Sequence, residues 1–228
     1  NTMYSVNDGG IHRVNTNNLT TWTDLSQGLH ITQFYRIGGT PQNANQILAG
    51  AQDNDVAHFK NGQWFNRNNN SDGMECAFDY TNENIAYPCS QSGGLYRTTN
   101  GFSSRTYIKP KNAEYGNWTV PFVLDPINPT TMYIGFANLL KTTNVSTVSS
   151  GSDWTDLTSA PIGKDHDIIN IAIAPSDNKT IYFSGKHYQG DPGTLQRSTN
   201  GGTSWTDITT GLPTSGSSYV TYIAVNST

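Results

Sequence analysis

The stretch Ser198-Thr199-Asn200-Gly201-Gly202-Thr203-Ser204-Trp205 decides the fold, because it predicts a tight polar turn followed by an anchoring aromatic residue. Asn and Gly tolerate the backbone angles that such a turn needs. Residues 15–22 repeat the pattern, and the spacing from Asn17 to Trp22 equals that from Asn200 to Trp205. Both copies continue as Trp-Thr-Asp and then an aliphatic residue. We therefore expect a fold built from copies of one unit.

A strand with alternating apolar residues, strand A, opens each predicted repeat. The five copies lie at residues 31–38, 75–80, 119–125, 170–174 and 219–225. When Phe34, Phe78, Phe122, Ala172 and Tyr222 are taken as equivalent, successive copies are 44, 44, 50 and 50 residues apart. Strand-only repeats with a period of roughly 40–50 residues are typical of β-propeller blades. The predicted fold is thus an all-β propeller of about five four-stranded blades.

The predicted blades lie within one domain, residues 1–228. Their bounds are residues 1–30 together with 219–228, and then 31–71, 72–115, 116–164 and 165–215. The first repeat lacks strand A and the last consists of strand A alone. Two explanations stay open: a five-bladed propeller with one blade split between the termini, which would remove exposed sheet edges, or five repeats cut from a larger propeller.

The composition limits which classes of binding partner are expected. The net charge is −4 and the chain has only 13 Lys and Arg residues, so no basic stripe is available to neutralise phosphates. Nucleic acid is therefore excluded as a predicted partner. No segment approaches the roughly 18 apolar residues of a membrane span, and we expect no membrane insertion.

The two cysteines, Cys76 and Cys89, lie on neighbouring predicted strands of one repeat. They are close enough for a disulfide if their side chains face each other. The alternative is a pair of buried thiols that act as small apolar residues. No metal site is predicted from them. One weak candidate for a calcium site is the run Asp53-Asn54-Asp55, which lacks the loop signature of a calcium-binding hand. No other cofactor is expected.

The 198–205 stretch resembles the Asp-box, or BNR, repeat of sialidase-type propellers, with Asn200 where the pattern Ser-x-Asp-x-Gly-x-x-Trp has Asp. Residues 6–11, 48–54 and 72–76 are similar to segments of sortilin-like and xyloglucanase-like propellers that bacteria secrete. In that family the box is structural: its polar side chain bonds backbone amides, and Trp packs between sheets. The resemblance assigns this role to Asn17, Trp22, Ser198, Asn200, Gly202 and Trp205.

The same resemblance implies an exported protein, located outside the cell or on its surface, with further domains on the same polypeptide. Among these it implies a C-terminal sorting domain of the type IX secretion system.

Propeller ligands are expected where the starts of strand A and the turns between the second and third strands meet around the central channel. This placement selects as candidate ligand-binding residues Asp8, Gln52, Asp53, Asn54, Asp72, Glu75, Asp165, His166 and Tyr188. Aromatic residues that could stack on sugars there are Tyr35, Phe136, Tyr188 and Tyr219. The alternative for Asp8 and Asp53 is a turn in which the side chain bonds local backbone amides.

Carboxylates from different blades could also form the acid and base pair of a glycoside hydrolase, which inverting enzymes hold roughly 6.5–9.5 Å apart. The candidates are Asp53 with Asp165 or Asp167. Three function hypotheses follow: non-catalytic binding of a polysaccharide or protein ligand, endo-acting hydrolysis of xyloglucanase type, and a structural spacer within a large surface adhesin. We favour the first, because no compelling catalytic set is present.

Overall fold

The computed structural model is all-β and describes residues 1–7, 10–29, 32–66, 71–113, 116–149, 151–158, 166–187, 193–212 and 218–227, with backbone alone at 166 and 187. The chain divides into two compact units, Asn1–Gln33 and Phe34–Thr228. None of the helical segments in the described part is long and apolar enough to cross a membrane.

The first unit is one antiparallel sheet, sheet I, with strand order β1-β2-β3. Its strands are β1 (Thr2–Asn7), β2 (Gly10–Asn15) and β3 (Asn18–Asp24). In the described part of the chain this sheet has three strands, and their assignment to the second, third and fourth strands of a blade stays a prediction. Trp22 is 42% exposed, and within this unit it does not have the buried anchoring position that the turn pattern predicts.

The second unit contains four sheets of four antiparallel strands, and in each sheet consecutive strands are neighbours. Sheet II holds β4 (Phe34–Gly39), β5 (Gln46–Ala51), β6 (Val56–Lys60) and β7 (Gln63–Asn66). Sheet III holds β8 (Gly73–Asp79), β9 (Asn82–Ser90), β10 (Gly94–Arg97) and β11 (Thr106–Tyr107), with a 3-10 turn at Gln91–Gly93. The predicted four-stranded unit is confirmed.

The remaining two sheets repeat this order. Sheet IV holds β12 (Phe122–Leu124), β13 (Met132–Gly135), β14 (Leu139–Thr142) and β15 (Thr155–Asp156). Sheet V holds β16 (His166–Ala174), β17 (Asp177–His187), β18 (Thr194–Ser198) and β19 (Thr206–Asp207). We call β4, β8, β12 and β16 the first strands of their sheets.

Two details of the predicted repeat are wrong. Phe34 and Phe122 are the first residues of their strands, whereas Phe78 is the last residue but one of β8, so the assumed equivalence fails. An alternating apolar pattern fixes which face a residue occupies but not its position along the strand. The predicted strand at 219–225 is also absent, because residues 218–227 have no strand assignment. Among them, the Ile223 N–H donates to the side chain of Asn170 rather than to a strand ladder.

The core lies between neighbouring sheets of the second unit. Sheets II and III share a cluster around Leu48, Val56 and Phe78. Sheets III and IV share the largest cluster, which includes Tyr87 and Phe136, and sheets IV and V pack through a third cluster. Stacking sheets face to face in this way buries the apolar residues of both inner faces.

Glycine permits a close approach between sheets II and III. A Cβ atom at Gly50 would collide with the backbone carbonyl of Met74, and a Cβ atom at Gly38 would collide with that of Cys76. Both colliding partners are backbone atoms of β8, which a rotamer change cannot move away. We infer that no larger residue fits at either position while the two sheets keep this spacing.

The turn at 198–205 is held by its own side chains. Ser198 Oγ accepts the Gly202 N–H at 2.9 Å, and Asn200 Oδ1 accepts the Ser204 N–H at 3.0 Å. Asn200 Nδ2 donates to Ser204 Oγ at 2.8 Å, so both ends of the Asn200 amide are used. The turn thus satisfies backbone amides locally, as the sequence pattern predicts.

A tryptophan after the turn tethers each of the last two sheets to the sheet before it. Trp205 Nε1 donates to the Leu157 carbonyl at 3.1 Å, and Trp154 Nε1 donates to the Ile108 carbonyl at the same distance. Both acceptors directly follow the fourth strand of the preceding sheet. In sheet III, Arg105 occupies the tryptophan position and pairs with the buried Asp55 of the preceding sheet at 3.5 Å.

Cys76 and Cys89 are free, buried thiols. The β8–β9 register places Cys76 opposite Pro88, so that Cys89 points to the other face of sheet III. Cys76 accordingly packs between sheets II and III, whereas Cys89 packs between sheets III and IV. The considered disulfide is not formed, because the two sulfur atoms lie on opposite faces.

Candidate ligand-binding cavity

A cavity of about 730 Å³ lies in the second unit, where the first strands of all four sheets meet residues 221–223. Each of these strands contributes different side chains. The chemistry-bearing residues in the lining are Tyr35, Arg36, Glu75, Asn170, Thr221 and Tyr222, and the apolar ones are Ile37, Pro121, Phe122, Val123, Ile171 and Ile223. The cavity therefore combines aromatic, apolar and hydrogen-bonding surfaces.

An ion pair lies on one wall of the cavity. Arg36 Nε is 3.4 Å from Glu75 Oε2, and the Arg36 guanidinium also donates to the Tyr35 carbonyl at 2.9 Å. Burial raises the pKa of the Glu75 carboxyl above its usual value, and the nearby Arg36 charge only partly opposes this shift. Burial of Glu75 thus favours the protonated form of the carboxyl that lines the cavity.

The opposite wall is formed by β16 and the C-terminal segment. Asn170 Oδ1 accepts the Ile223 N–H at 3.1 Å, which holds the segment against the strand. The amide NH₂ of Asn170 forms no hydrogen bond within the described part of the chain. Tyr222, the residue before Ile223, is 76% exposed and lines the cavity. An aromatic ring and an available amide donor therefore line the same cavity.

A second group of predicted residues lies on the turn between β5 and β6 and before β8. The Asp53 N–H donates to Asp72 Oδ1 at 2.5 Å, and the Asp72 N–H donates to Gln91 Oε1 at 3.0 Å. Asn54 Nδ2 donates to the Gln52 carbonyl at 2.9 Å. In these contacts Asp53 takes part through its backbone N–H, so the turn-stabilising role considered for its side chain stays a prediction. No group of three or more His, Cys, Asp and Glu residues that could hold a metal ion occurs among the described residues.

The remaining predicted site residues are described only in part. Asp167 is buried on β16, opposite Lys186 in the strand register. His166 is described only as the β16 backbone residue opposite His187, and Asp8, Asp165 and Tyr188 lie outside the described residues. The catalytic pairing of Asp53 with Asp165 or Asp167 stays a prediction.

Of the predicted aromatic residues, Tyr35 lines the cavity. Phe136 is fully buried and cannot contact a ligand, because it fills the core between sheets III and IV. Tyr219 lies beneath the Lys186 ammonium, 5.3 Å from the ring centroid.

Sequence reasoning missed Asn170, Thr221 and Tyr222 as cavity residues. The prediction took ligand-binding residues from strand starts and turns, whereas the cavity is lined mainly along the strands. Asn170 is a polar residue within the apolar run of β16, and this interruption of the pattern was a usable signal. Tyr222 gave no such signal, because an aromatic residue suits the predicted strand A equally well.

No protein-family model matches the chain. A search of curated proteins gives no match either. Among solved structures, an ancestral GH74 enzyme is 20% identical with a TM-score of 0.63, over 95% of this chain and 30% of that chain. A chain of the mitotic checkpoint complex is 9% identical with a TM-score of 0.56, over 94% of this chain and 61% of that one.

A GH74 xyloglucanase from Xanthomonas campestris is 13% identical with a TM-score of 0.43, over 87% of this chain and 42% of that chain. At these identities the likeness concerns the fold alone. The fold is a β-propeller, in agreement with the all-β sheets and their strand order. The chain spans less than two thirds of the length of each of these structural neighbours.

Proposed function

We propose that this chain is a carbohydrate-binding β-propeller module of a secreted or cell-surface protein, and that it holds a polysaccharide without cleaving it. One observation carries the proposal: the cavity of about 730 Å³ places Tyr35 and Tyr222 beside the Arg36–Glu75 pair and the Asn170 amide. Its volume lies within the range of roughly 300–1,000 Å³ that is usual for ligand sites.

The lining matches the two surfaces of a sugar ring. The C–H face of a pyranose is apolar and packs on aromatic rings, which the exposed Tyr222 and the half-buried Tyr35 can supply. The ring hydroxyls need donors and acceptors in fixed directions. Carboxylate, guanidinium and amide groups supply both, and here they come from Glu75, Arg36 and Asn170.

The absence of a second carboxylate favours binding over hydrolysis. Glycoside hydrolases use two carboxyl groups on either side of the scissile bond. Among the described residues that line the cavity, Glu75 is the only carboxylate. Its raised pKa is nevertheless what a general acid needs, and this observation favours an endo-acting hydrolase of xyloglucanase type as the second candidate.

The proposal extends to the turn at 198–205 and to the setting of the chain. We assign this turn to the Asp-box class, since Ser198 and Asn200 hold it by the local bonds described above. The resemblance to secreted bacterial propellers supports an extracellular or cell-surface location with further domains on the same polypeptide.

The test is a glycan array together with a reducing-end assay on plant β-glucans. We expect binding without release of reducing ends. The variants Tyr35→Ala and Tyr222→Ala should weaken binding by about tenfold each, equivalent to about 1.4 kcal/mol. Tyr4→Ala is the matched control, because Tyr4 is an exposed tyrosine of sheet I, and it should bind like the parent chain.

The other outcomes select among the remaining hypotheses. Release of reducing ends that disappears in Glu75→Gln would overturn the non-catalytic proposal in favour of the hydrolase. An absence of both binding on the array and release of reducing ends would favour the hypothesis of a structural spacer within a surface adhesin. Binding that Tyr4→Ala weakens as much as Tyr222→Ala would show that the cavity is not the site.

A further inference from the structure

A second concave surface lies on sheet III, beside the 3-10 turn at 91–93. This groove of about 350 Å³ includes in its lining Ser90, Gln91, Ser92, Tyr96, Tyr107 and Lys109. Among the described residues, it shares no lining residue with the cavity described above. It is therefore a separate site, of a size that suits one or two sugar rings rather than a long chain segment.

Two tyrosines form the aromatic wall of the groove. Tyr96 and Tyr107 are opposite each other in the β10–β11 register, and their rings meet edge to face with centroids 5.0 Å apart. The Arg105 guanidinium lies 5.4 Å from the Tyr96 ring centroid and helps to fix that ring. Tyr107 is 53% exposed, so its ring is available for stacking. Neither hydroxyl forms a hydrogen bond within the described part of the chain.

The polar side of the groove is rich in donors. Lys109 Nζ donates to the Ser92 carbonyl at 2.9 Å and lies 5.2 Å from the Phe136 ring centroid, which leaves two of its N–H groups available. No carboxylate among the described residues forms an ion pair with Lys109. Gln91 accepts through Oε1, so its NH₂ also stays available. None of the described residues that line the groove is acidic.

We propose that this groove binds a carboxylate-bearing sugar residue, a uronic acid, whose ring stacks on Tyr107 while its carboxylate pairs with Lys109. A charge-assisted hydrogen bond from an ammonium group to a carboxylate is stronger than a neutral one. The available Gln91 NH₂ and the tyrosine hydroxyls then meet the remaining ring oxygens. The aromatic wall therefore favours a sugar ring, and the Lys109 charge favours an acidic one.

The experiment is isothermal titration calorimetry of the full chain with a trimer of galacturonic acid and, in parallel, with its uncharged methyl ester. We expect the acid to bind, the ester to bind at least tenfold more weakly, and the affinity for the acid to fall as salt is raised. Lys109→Met keeps most of the aliphatic side chain but removes the charge, and it should weaken binding of the acid at least tenfold. Tyr107→Ala should weaken binding of both the acid and the ester.

Lys111→Met is the matched control, because Lys111 is an exposed lysine two residues away that does not line the groove. It should leave the affinity for the acid unchanged. The proposal is overturned if the acid does not bind, if acid and ester bind equally, or if Lys109→Met and Lys111→Met behave alike. Loss of acid binding in Tyr222→Ala alone would assign the acid to the first cavity and leave the polysaccharide proposal intact.

Discussion

The tryptophan tethers between sheets give a sharp test of what stabilises this propeller. Trp154 is 6% exposed, and its indole N–H bonds the Ile108 carbonyl of the preceding sheet at 3.1 Å. The change Trp154→Phe keeps an aromatic ring in the core but removes the donor and part of the side-chain volume. Trp118→Phe is the matched control, because Trp118 is 50% exposed and its indole forms no hydrogen bond within the described part.

Two effects contribute to the expected loss of stability. The lost hydrogen bond costs about 0.5–1.5 kcal/mol, because the Ile108 carbonyl loses its partner. The missing ring volume of about 40 Å³ costs about 1 kcal/mol at roughly 24 cal/mol per Å³ of cavity. Together they lower the free energy of unfolding by about 2 kcal/mol, which corresponds to about 4–8 °C in Tm for a chain of this length. The control should change stability by less than about 0.5 kcal/mol.

The assay is differential scanning calorimetry of the three chains, with urea unfolding followed by fluorescence as a second measurement. Trp205→Phe belongs to the same series, because Trp205 makes the equivalent bond to Leu157 from a partly buried position. We expect it to cost less than Trp154→Phe and more than Trp118→Phe. Equal effects at Trp154 and Trp118 would refute the tether, since burial and hydrogen bonding would then make no difference.

Three further outcomes are expected. Burial raises the folded-state pKa of Glu75 above its ordinary value of 4.5, so the native state holds the proton more tightly than the unfolded state, and this contribution to stability is lost as pH rises from 4.5 through the raised pKa. Glu75→Gln should remove this part of the pH dependence in urea unfolding, and an unchanged slope would contradict the assignment. Asn200→Ala should cost about 1–2 kcal/mol, because the bonds of both amide ends are lost, whereas Asn200→Asp keeps the acceptor and should be nearly neutral by thermal unfolding. Burial raises the pKa of Cys76 to about 12 and also raises the pKa of Cys89. A thiol reagent should therefore label neither cysteine in the folded chain, and it should label both after unfolding without reductant. Absence of labelling after unfolding would instead indicate a disulfide.

Much of the fold was predictable because each element repeats. The turn at 198–205 marks the end of a third strand, and Pro and Asn residues mark the reversals between first and second strands, so the four-stranded unit followed from local signals. The face of each strand followed from alternation, but its exact position did not, as the misplaced equivalence of Phe34 and Phe78 shows. Alternation of period two carries no information about where a strand begins.

The relative orientation of side chains across a sheet was harder to predict than the sheet itself. Cys76 and Cys89 lie on neighbouring strands as expected, yet the one-residue offset in register places their sulfur atoms on opposite faces. The predicted strand at 219–225 failed for a related reason. Its apolar alternation suits a strand, but Ile223 bonds the Asn170 side chain instead of a neighbouring backbone, and a strand requires a partner ladder.

The candidate site was only partly predictable because it does not repeat. At the cavity, the first strands contribute Arg36, Glu75 and Asn170 in three sheets and apolar residues in sheet IV, so no period reveals them. A blade position that faces a neighbouring sheet must fit much the same packing in every copy, which makes it similar across repeats. A blade position that faces the ligand contacts a different part of that ligand in each copy, which makes it dissimilar. We infer that, in such a fold, first-strand residues that differ from one repeat to the next are better candidates for binding than the motif that defines the repeat. Glu75 is a residue of the first kind, whereas the turn residue Asn200 belongs to the repeated motif.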